Sequence, residues 1–468
     1  MVQAVLFLQF YALTVTLLTR QIACQLKLDD VELSKYRSSE HVFRQFAIKQ
    51  STSYPEAPER APLDASHQVI FVVRQKNMET LTRFVDDVSN PKSANYGNYK
   101  TREEIGVMTE NLAASKTVKT YIIKAGAKVT EVSPYQEYIT AVAPVYVWEK
   151  IFDTRFHQYN FSSVNDTGYP VTIYRADRYS IPLKLDTAVV SVLDTVQMPE
   201  LQNAAGARSQ SHRVPRKSQG FYSVLERDKN VITPSILINS YEVDTSIGHP
   251  RATQSIFEAI NIHIGVDDVA QFQRLYNLPQ TVLNSSVGGH ADASTQFCKD
   301  NFYTCMEGNL DTQYMMALSP ISPTISHYAV NFHSWTVWLI ELASSKNIPL
   351  VMSISYCSEE ATIDWDEQQA FNTMAIKLSA MGVTLVVASG DAGATTNWRF
   401  KCEYTPQFPA SCPYVLTVGG TMVSKSVSLT VTFTLSTFLF EMQLHIINCH
   451  YRNTLYIVNN HLLNSSLT

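Results

Sequence analysis

The sequence predicts an α/β protein, a parallel sheet with helices on both faces, preceded by an α+β module built on an antiparallel sheet. Three observations carry that prediction. First, Pro349-Leu350-Val351-Met352-Ser353-Ile354-Ser355-Tyr356 and Val383-Thr384-Leu385-Val386-Val387-Ala388-Ser389 are apolar runs flanking a helix-periodic stretch, Trp365 to Met381. Strand–helix–strand is the βαβ unit of a parallel sheet. Second, between His67 and Val192 β-branched runs recur around two helical stretches, as in a small antiparallel sheet with helices against it. Third, 468 residues with 45% hydrophobic and 17% charged residues can build large cores in more than one domain. The formal charge of −5 argues against nucleic acid as the main partner.

At the amino end, Ala4 to Thr19 is apolar and is followed by Arg20, the length of a signal-peptide core and short for a membrane span. Residues 1–24 are therefore expected to be a signal peptide, cleaved near Ile22 to Gln25. The secretory pathway follows, with lysosome or extracellular space as destination and no stable membrane span. With Cys24 removed, Cys298, Cys305, Cys357, Cys402, Cys412 and Cys449 remain. Their pairing is not readable, but the short separations favour local loops at Cys298/Cys305 and Cys402/Cys412. Asn160, Asn165, Asn284 and Asn464 begin N-x-S/T sites in keeping with that route.

Residues 25–201 form the first module, with a polar lead-in and a regular core from 67 on. Val69–Val73 reads as a strand, and Met78, Leu81, Phe84, Val85 and Val88 mark a helix with Asn77 as its N-cap. Asn90-Pro91 ends it. Thr101 with Glu104 predicts a capping box opening the next helix. Strand-like runs follow at Ala127–Val132, Tyr138–Pro144 and Val189–Val192. Residues 202–230, rich in Ser, Ala and Gly with Arg208, Arg213, Arg216 and Lys217, read as a protease-exposed linker.

In the second part, 231–421, one stretch carries chemistry: Cys305-Met306-Glu307-Gly308-Asn309-Leu310-Asp311-Thr312-Gln313-Tyr314. On a helix Glu307 and Asp311 share one face, with β-carbons roughly 5–6 Å apart. Like charges so placed titrate as a coupled pair with one pKa raised, and such a pair can pass a proton in acid. For an isolated E-x-x-x-D a solvated acidic face is the plain reading. Its partner is Ser389-Gly390-Asp391-Ala392-Gly393-Ala394, at the carboxyl end of a buried strand, where parallel sheets bind ligands. A protonated carboxyl there can donate to a developing oxyanion.

Val88 to Tyr99 with Thr101–Glu104, and Ala141–Val145 with Trp148–Phe152, resemble two pro-domain blocks of the sedolisins, the serine-carboxyl peptidases. Ile232–Tyr241, Gln254–Glu258, Val269–Phe272, the Glu307/Asp311 stretch, the Asp391 stretch and Phe408–Thr421 resemble successive blocks of their catalytic domain. The similarity covers most of residues 67 to 421. It implies a subtilisin-like sheet, here incomplete, behind a pro-domain that assists folding, acts as an intramolecular inhibitor and caps the site until removed. It also makes 202–230 an activation linker. It implies hydrolysis of peptide bonds at acid pH, as a tripeptidyl-peptidase or endopeptidase acting on peptides or unfolded protein. Glu307 would be general base to a serine, Asp311 would orient it and share its proton, and Asp391 would line the oxyanion hole.

Two departures qualify the resemblance. Cys357 stands where many relatives have Gly. Residues 422–468 diverge: they are low in charge, and their apolar run Val427–Phe440 is short for a bilayer span. No Ser-Gly-Thr-Ser occurs in these residues, so the nucleophile motif is absent, as are the Asp-based calcium ligands implied for complete members. The chain as written is expected to be inactive, or a non-catalytic pseudoprotease or peptide-binding protein.

Overall fold

The computed structural model describes residues 41–44, 59–164, 170–198, 232–243, 248–259, 262–289, 291–329, 335–345, 347–390, 406–422 and 430–431. The predicted signal peptide, the 202–230 linker, Asp391, Asn165, Asn464, Cys402, Cys449 and nearly all of the 422–468 tail lie outside the described residues.

The N-terminal part is built on β1 (Ser66–Val73), followed by α1 (Met78–Val88), α2 (Arg102–Thr109), α3 (Leu112–Lys124), β2 (Lys128–Val132), β3 (Tyr138–Pro144) and α4 (Val145–Phe152). The antiparallel pair β4 (Phe156–Val164) and β5 (Pro170–Ala176) comes next, then β6 (Tyr179–Pro182) and β7 (Val189–Leu193). The main sheet has the order β2-β3-β1-β7 and is antiparallel throughout. β1 is central, and its two faces have different partners, as alternation along a strand requires. Val69, Phe71 and Val73 pack with Trp148 and Phe152 of α4 and Val118 and Ile122 of α3. Ile70 and Val72 enter a second core shared with the rest of the chain.

The expected capping box is present: Thr101 and Glu104 each accept from the other's backbone N–H. Asn77 does not cap α1 in the expected way. It has left-handed backbone with φ 55°, and its side chain instead donates to the Met108 carbonyl. Helices α3 and α4 add to the two helices expected. In α3, Ala114, Val118 and Ile122 stand four residues apart and form the buried face, a helical spacing that the sequence carries.

The second part forms a six-stranded sheet. Its elements are α5 (Pro234–Ser240), β8 (Gln254–Glu258), α6 (Val266–Leu275), β9 (Ser285–Val287), α7 (Thr295–Asp300), α8 (Phe302–Leu318) and β10 (Thr324–Tyr328). They continue with α9 (Trp335–Ser344), β11 (Val351–Ile354), α10 (Trp365–Ala380), β12 (Thr384–Ala388) and β13 (Leu416–Val418). Strand order is β9-β10-β8-β11-β12-β13, and every pairing is parallel. The predicted βαβ unit is β11-α10-β12. Phe257, Met352, Ile354, Leu385 and Val387 face one layer, with α9 and α10, where Phe371, Met374 and Leu378 point inward as expected. Ile256 faces the other, with α6 and α8. Among the described residues no helix is long and apolar enough to cross a membrane.

α10 is the seam between the two parts. Its Phe371 and Met374 share a core with Ile70, Val72, Tyr138 and Leu193. Its Ile376 and Ala380 pack with Leu81, Val85 and Ile105. The N-terminal part therefore docks on the helix layer across the sheet from α8.

Cys298 and Cys305 are disulfide-bonded, as their spacing suggested. Cys402, the partner expected for Cys412, lies outside the described residues. Cys412 is a free thiol buried in the apolar core, and that burial pushes its pKa up to about 12.

Candidate active site

Glu307 and Asp311 lie on α8, whose first turn the disulfide ties to α7. Between them Gly308 and Asn309 set how closely the helix approaches its neighbours. A β-carbon at Gly308 would fall 2.7 Å from the His263 carbonyl oxygen, so only glycine allows that contact without a shift. Asn309 accepts from the Gly265 N–H at 2.8 Å and donates to Asp268 at 3.2 Å; Asp268 in turn accepts from Thr295 at 2.9 Å. These bonds hold the carboxylate turn of α8 against α6 and α7.

Asp311 faces the end of the sheet. Burial raises its pKa from 3.8 to about 6, against the lowering effect of a hydrogen bond with Ser355 just past β11. The expected cause, repulsion by Glu307, is not what raises it; desolvation is. Below α8 sits Glu258, the last residue of β8 and only 1% exposed. Its Oε2 accepts from the Tyr356 hydroxyl at 2.7 Å. Burial first, then the charges of Asp311 and Glu307, hold the Glu258 carboxyl well above the usual range despite the Tyr356 bond. Glu258 Oε1 and Asp311 Oδ2 are both buried without a hydrogen-bond partner. The arrangement can store and pass a proton in mild acid.

Because the sheet is parallel, β8, β11 and β12 end at the same edge. Past β12, Ser389 donates its N–H to the Val418 carbonyl at 2.9 Å, and Gly390 takes left-handed backbone with φ +88°. A β-carbon on Gly390 would lie 3.4 Å from Cys357 Sγ, which places Cys357 at this edge. The chain thus turns at the edge where Asp391 was expected. Asp391 itself is outside the described residues. Glu307, Asp311 and the Gly390 turn are therefore placed; Glu258, Ser355 and Tyr356 are additions. The one signal for Glu258 was a carboxylate placed directly after the apolar pair Ile256-Phe257. Among the described residues no group of three or more His, Cys, Asp or Glu could hold a metal ion.

The raised Asp311 pKa has a sign that melting curves check. Its protonated form is favoured in the fold, so its contribution to stability is full below 3.8 and lost as pH rises through about 6. Between those values Asp311→Asn is expected to flatten the fall in Tm with pH, and carboxyl NMR of the unaltered chain should titrate with a midpoint near 6. A midpoint at or below 3.8 would show that Asp311 is solvated.

Residues 56–198 match the Pro-kumamolisin activation domain. The chain is similar to tripeptidyl-peptidase 1 of Dictyostelium discoideum, 26% identical over 395 residues, covering 78% of this chain and 63% of that protein. To tripeptidyl-peptidase 1 of Rattus norvegicus it is 28% identical over 365 residues, covering 75% and 61%. The chain thus spans less than two thirds of the length of these relatives. Among solved structures, a Pseudomonas sedolisin (serine-carboxyl proteinase) complexed with pseudo-iodotyrostatin aligns with a TM-score of 0.34 and 21% identity, over 42% of this chain and 55% of that one.

Proposed function

We propose, on the premise that the chain belongs to the sedolisin family of serine-carboxyl peptidases, that its α8 carboxylates are the proton-handling half of an acid-working peptidase site. The N-terminal domain makes this chain the zymogen form of a peptidase like tripeptidyl-peptidase 1. In the proposed reaction a serine hydroxyl attacks the peptide carbonyl and Glu307 takes its proton. Asp311 orients Glu307 and shares that proton, with the buried Glu258 behind it. Asp391, kept protonated, donates to the oxyanion. The observation that carries this reading is the buried Asp311, its pKa raised by burial to about 6, together with the buried Glu258, whose carboxyl burial and the charge of Asp311 hold well above the usual range. A site that needs protonated carboxyls works in acid, which suits a lysosomal or extracellular location. Peptides with free amino termini, cut to release tripeptides, are the proposed substrates.

A second reading has its own observation. These 468 residues contain no Ser-Gly-Thr-Ser. Expressed by themselves they are therefore expected to hold a peptide without cleaving it. Two measurements between about pH 3.5 and 6 test both readings. A serine-reactive fluorophosphonate probe should not label the chain. A fluorescently tagged unstructured peptide should bind, about tenfold more weakly in Glu307→Gln or Asp311→Asn. Labelling that disappears in Glu307→Gln would replace the binding reading with catalysis by this chain. Absence of both labelling and peptide binding would remove the site altogether.

A further inference from the structure

Away from the α8 site, one edge of the parallel sheet is an unguarded strand. β9 stands first in the order β9-β10-β8-β11-β12-β13, so among the described residues only one of its sides is paired. It meets β10 in unbroken register, Ser285↔Ile325, Ser286↔Ser326 and Val287↔His327, and all three of its residues are exposed. The outer N–H and C=O groups of such a strand are a template on which a second chain can add. Val282 and Val287 are 75% and 51% exposed, so apolar surface accompanies the open hydrogen bonds. Natural edges are commonly blunted by a charge, a proline or a bulge. From Thr281 to Gly289 the chain has no charged residue and no proline, and the β9/β10 register has no bulge.

The same nine residues do contain Asn284-Ser285-Ser286, an N-x-S acceptor. Its backbone is anchored: Leu283 packs against the core of Ile256 and Val269, and the Asn284 N–H donates to the Thr324 carbonyl at 2.8 Å. The Asn284 side chain is exposed and makes no hydrogen bond among the described residues. Asn160 is placed differently. It lies on β4, the middle strand of a three-stranded sheet, and its Oδ1 accepts from Thr172 and Gln158 at 2.8 and 3.1 Å.

We propose that Asn284 carries an N-linked oligosaccharide that covers the β9 edge and keeps a second copy of the chain from pairing with it. The proposal rests on the expected entry into the secretory pathway. There Asn284 Nδ2 bonds to C1 of the first sugar of a lipid-linked oligosaccharide. The bond from C1 to the pyrophosphate oxygen breaks, the lipid pyrophosphate leaves, and one Nδ2 proton is lost. The hydrated oligosaccharide, anchored one residue before β9, fills the space that an added strand needs. It does by bulk what an edge lysine does by charge.

The test uses the full chain secreted by a eukaryotic host. Enzymatic release of N-glycans in heavy-oxygen water, followed by peptide mass spectrometry, should report heavy aspartate at position 284. Asn284→Gln, with an unchanged melting temperature, should self-associate at about tenfold lower concentration, read by size-exclusion chromatography with light scattering. Asn284→Lys also lacks the glycan but puts a charge on the edge, so it should match the unaltered chain. A bare Asn284 in a chain whose Asn160 is labelled would overturn the proposal by itself. Both sites bare would overturn it together with the secretory reading. If Asn284→Gln associates no more than the unaltered chain, the glycan does not guard the edge. If Asn284→Lys associates as Asn284→Gln does, edge pairing is not what the glycan prevents, and the proposal falls.

Discussion

Lys377→Met is expected to lower the free energy of unfolding by about 3–5 kcal/mol at neutral pH, the usual result of removing one partner of a buried ion pair. Lys377 and Glu137 have side chains 5% and 10% exposed, so the remaining carboxylate has no water to replace the ammonium. Methionine fills the volume of the lysine stem, which assigns the loss to charge and not to packing. Two further measurements separate this from a general defect. In acid the penalty should shrink, because an unpaired Glu137 protonates readily once Lys377 no longer lowers its pKa. Adding Glu137→Met should recover most of the loss at neutral pH, since an apolar pair of similar volume is often as stable as the ions. Urea unfolding of the four chains of this cycle gives the coupling directly. A Lys377→Met loss under about 1 kcal/mol would mean that the pair behaves as a surface bridge.

Phe371→Ala is expected to cost about 3–5 kcal/mol as well, for a different reason. The ring is fully buried on α10, edge-on to Phe408 with centroids 5.2 Å apart, in the core that also holds Ile70 and Val72. Truncation leaves a cavity in the layer joining the sheet to the N-terminal domain, so both parts lose contacts at once. Phe371→Leu keeps most of the volume and should cost roughly 1–1.5 kcal/mol. Thermal melts of the two variants provide the comparison. Equal losses would show that shape, and not cavity volume, governs this core.

The sequence was most legible where one element carried its own signal. The run Val383–Ser389 can only be a buried strand, and the capping box at Thr101 and Glu104 announces a helix start from four residues. Glu307 and Asp311 were legible because helical spacing alone puts them on one face. Asn77 misled because its residue type suits an N-cap and an isolated left-handed position equally well, and only the nearby Met108 carbonyl decides between them. The burial of Cys412 was not legible, because spacing says nothing about burial.

Other features depend on partners distant in sequence. By itself the chain determined its α/β class, the strand–helix–strand unit from Val351 to Ala388, and the position of a carboxylate pair on one helix face, because each follows from local periodicity and local hydrogen bonding. Tertiary structure alone decided that Glu258 lies beneath Asp311, that burial and not Glu307 raises the Asp311 pKa, and that the N-terminal domain grips α10 across the sheet from α8. Those outcomes depend on desolvation and on charges that only packing brings together, and neither quantity exists in the chain before it folds.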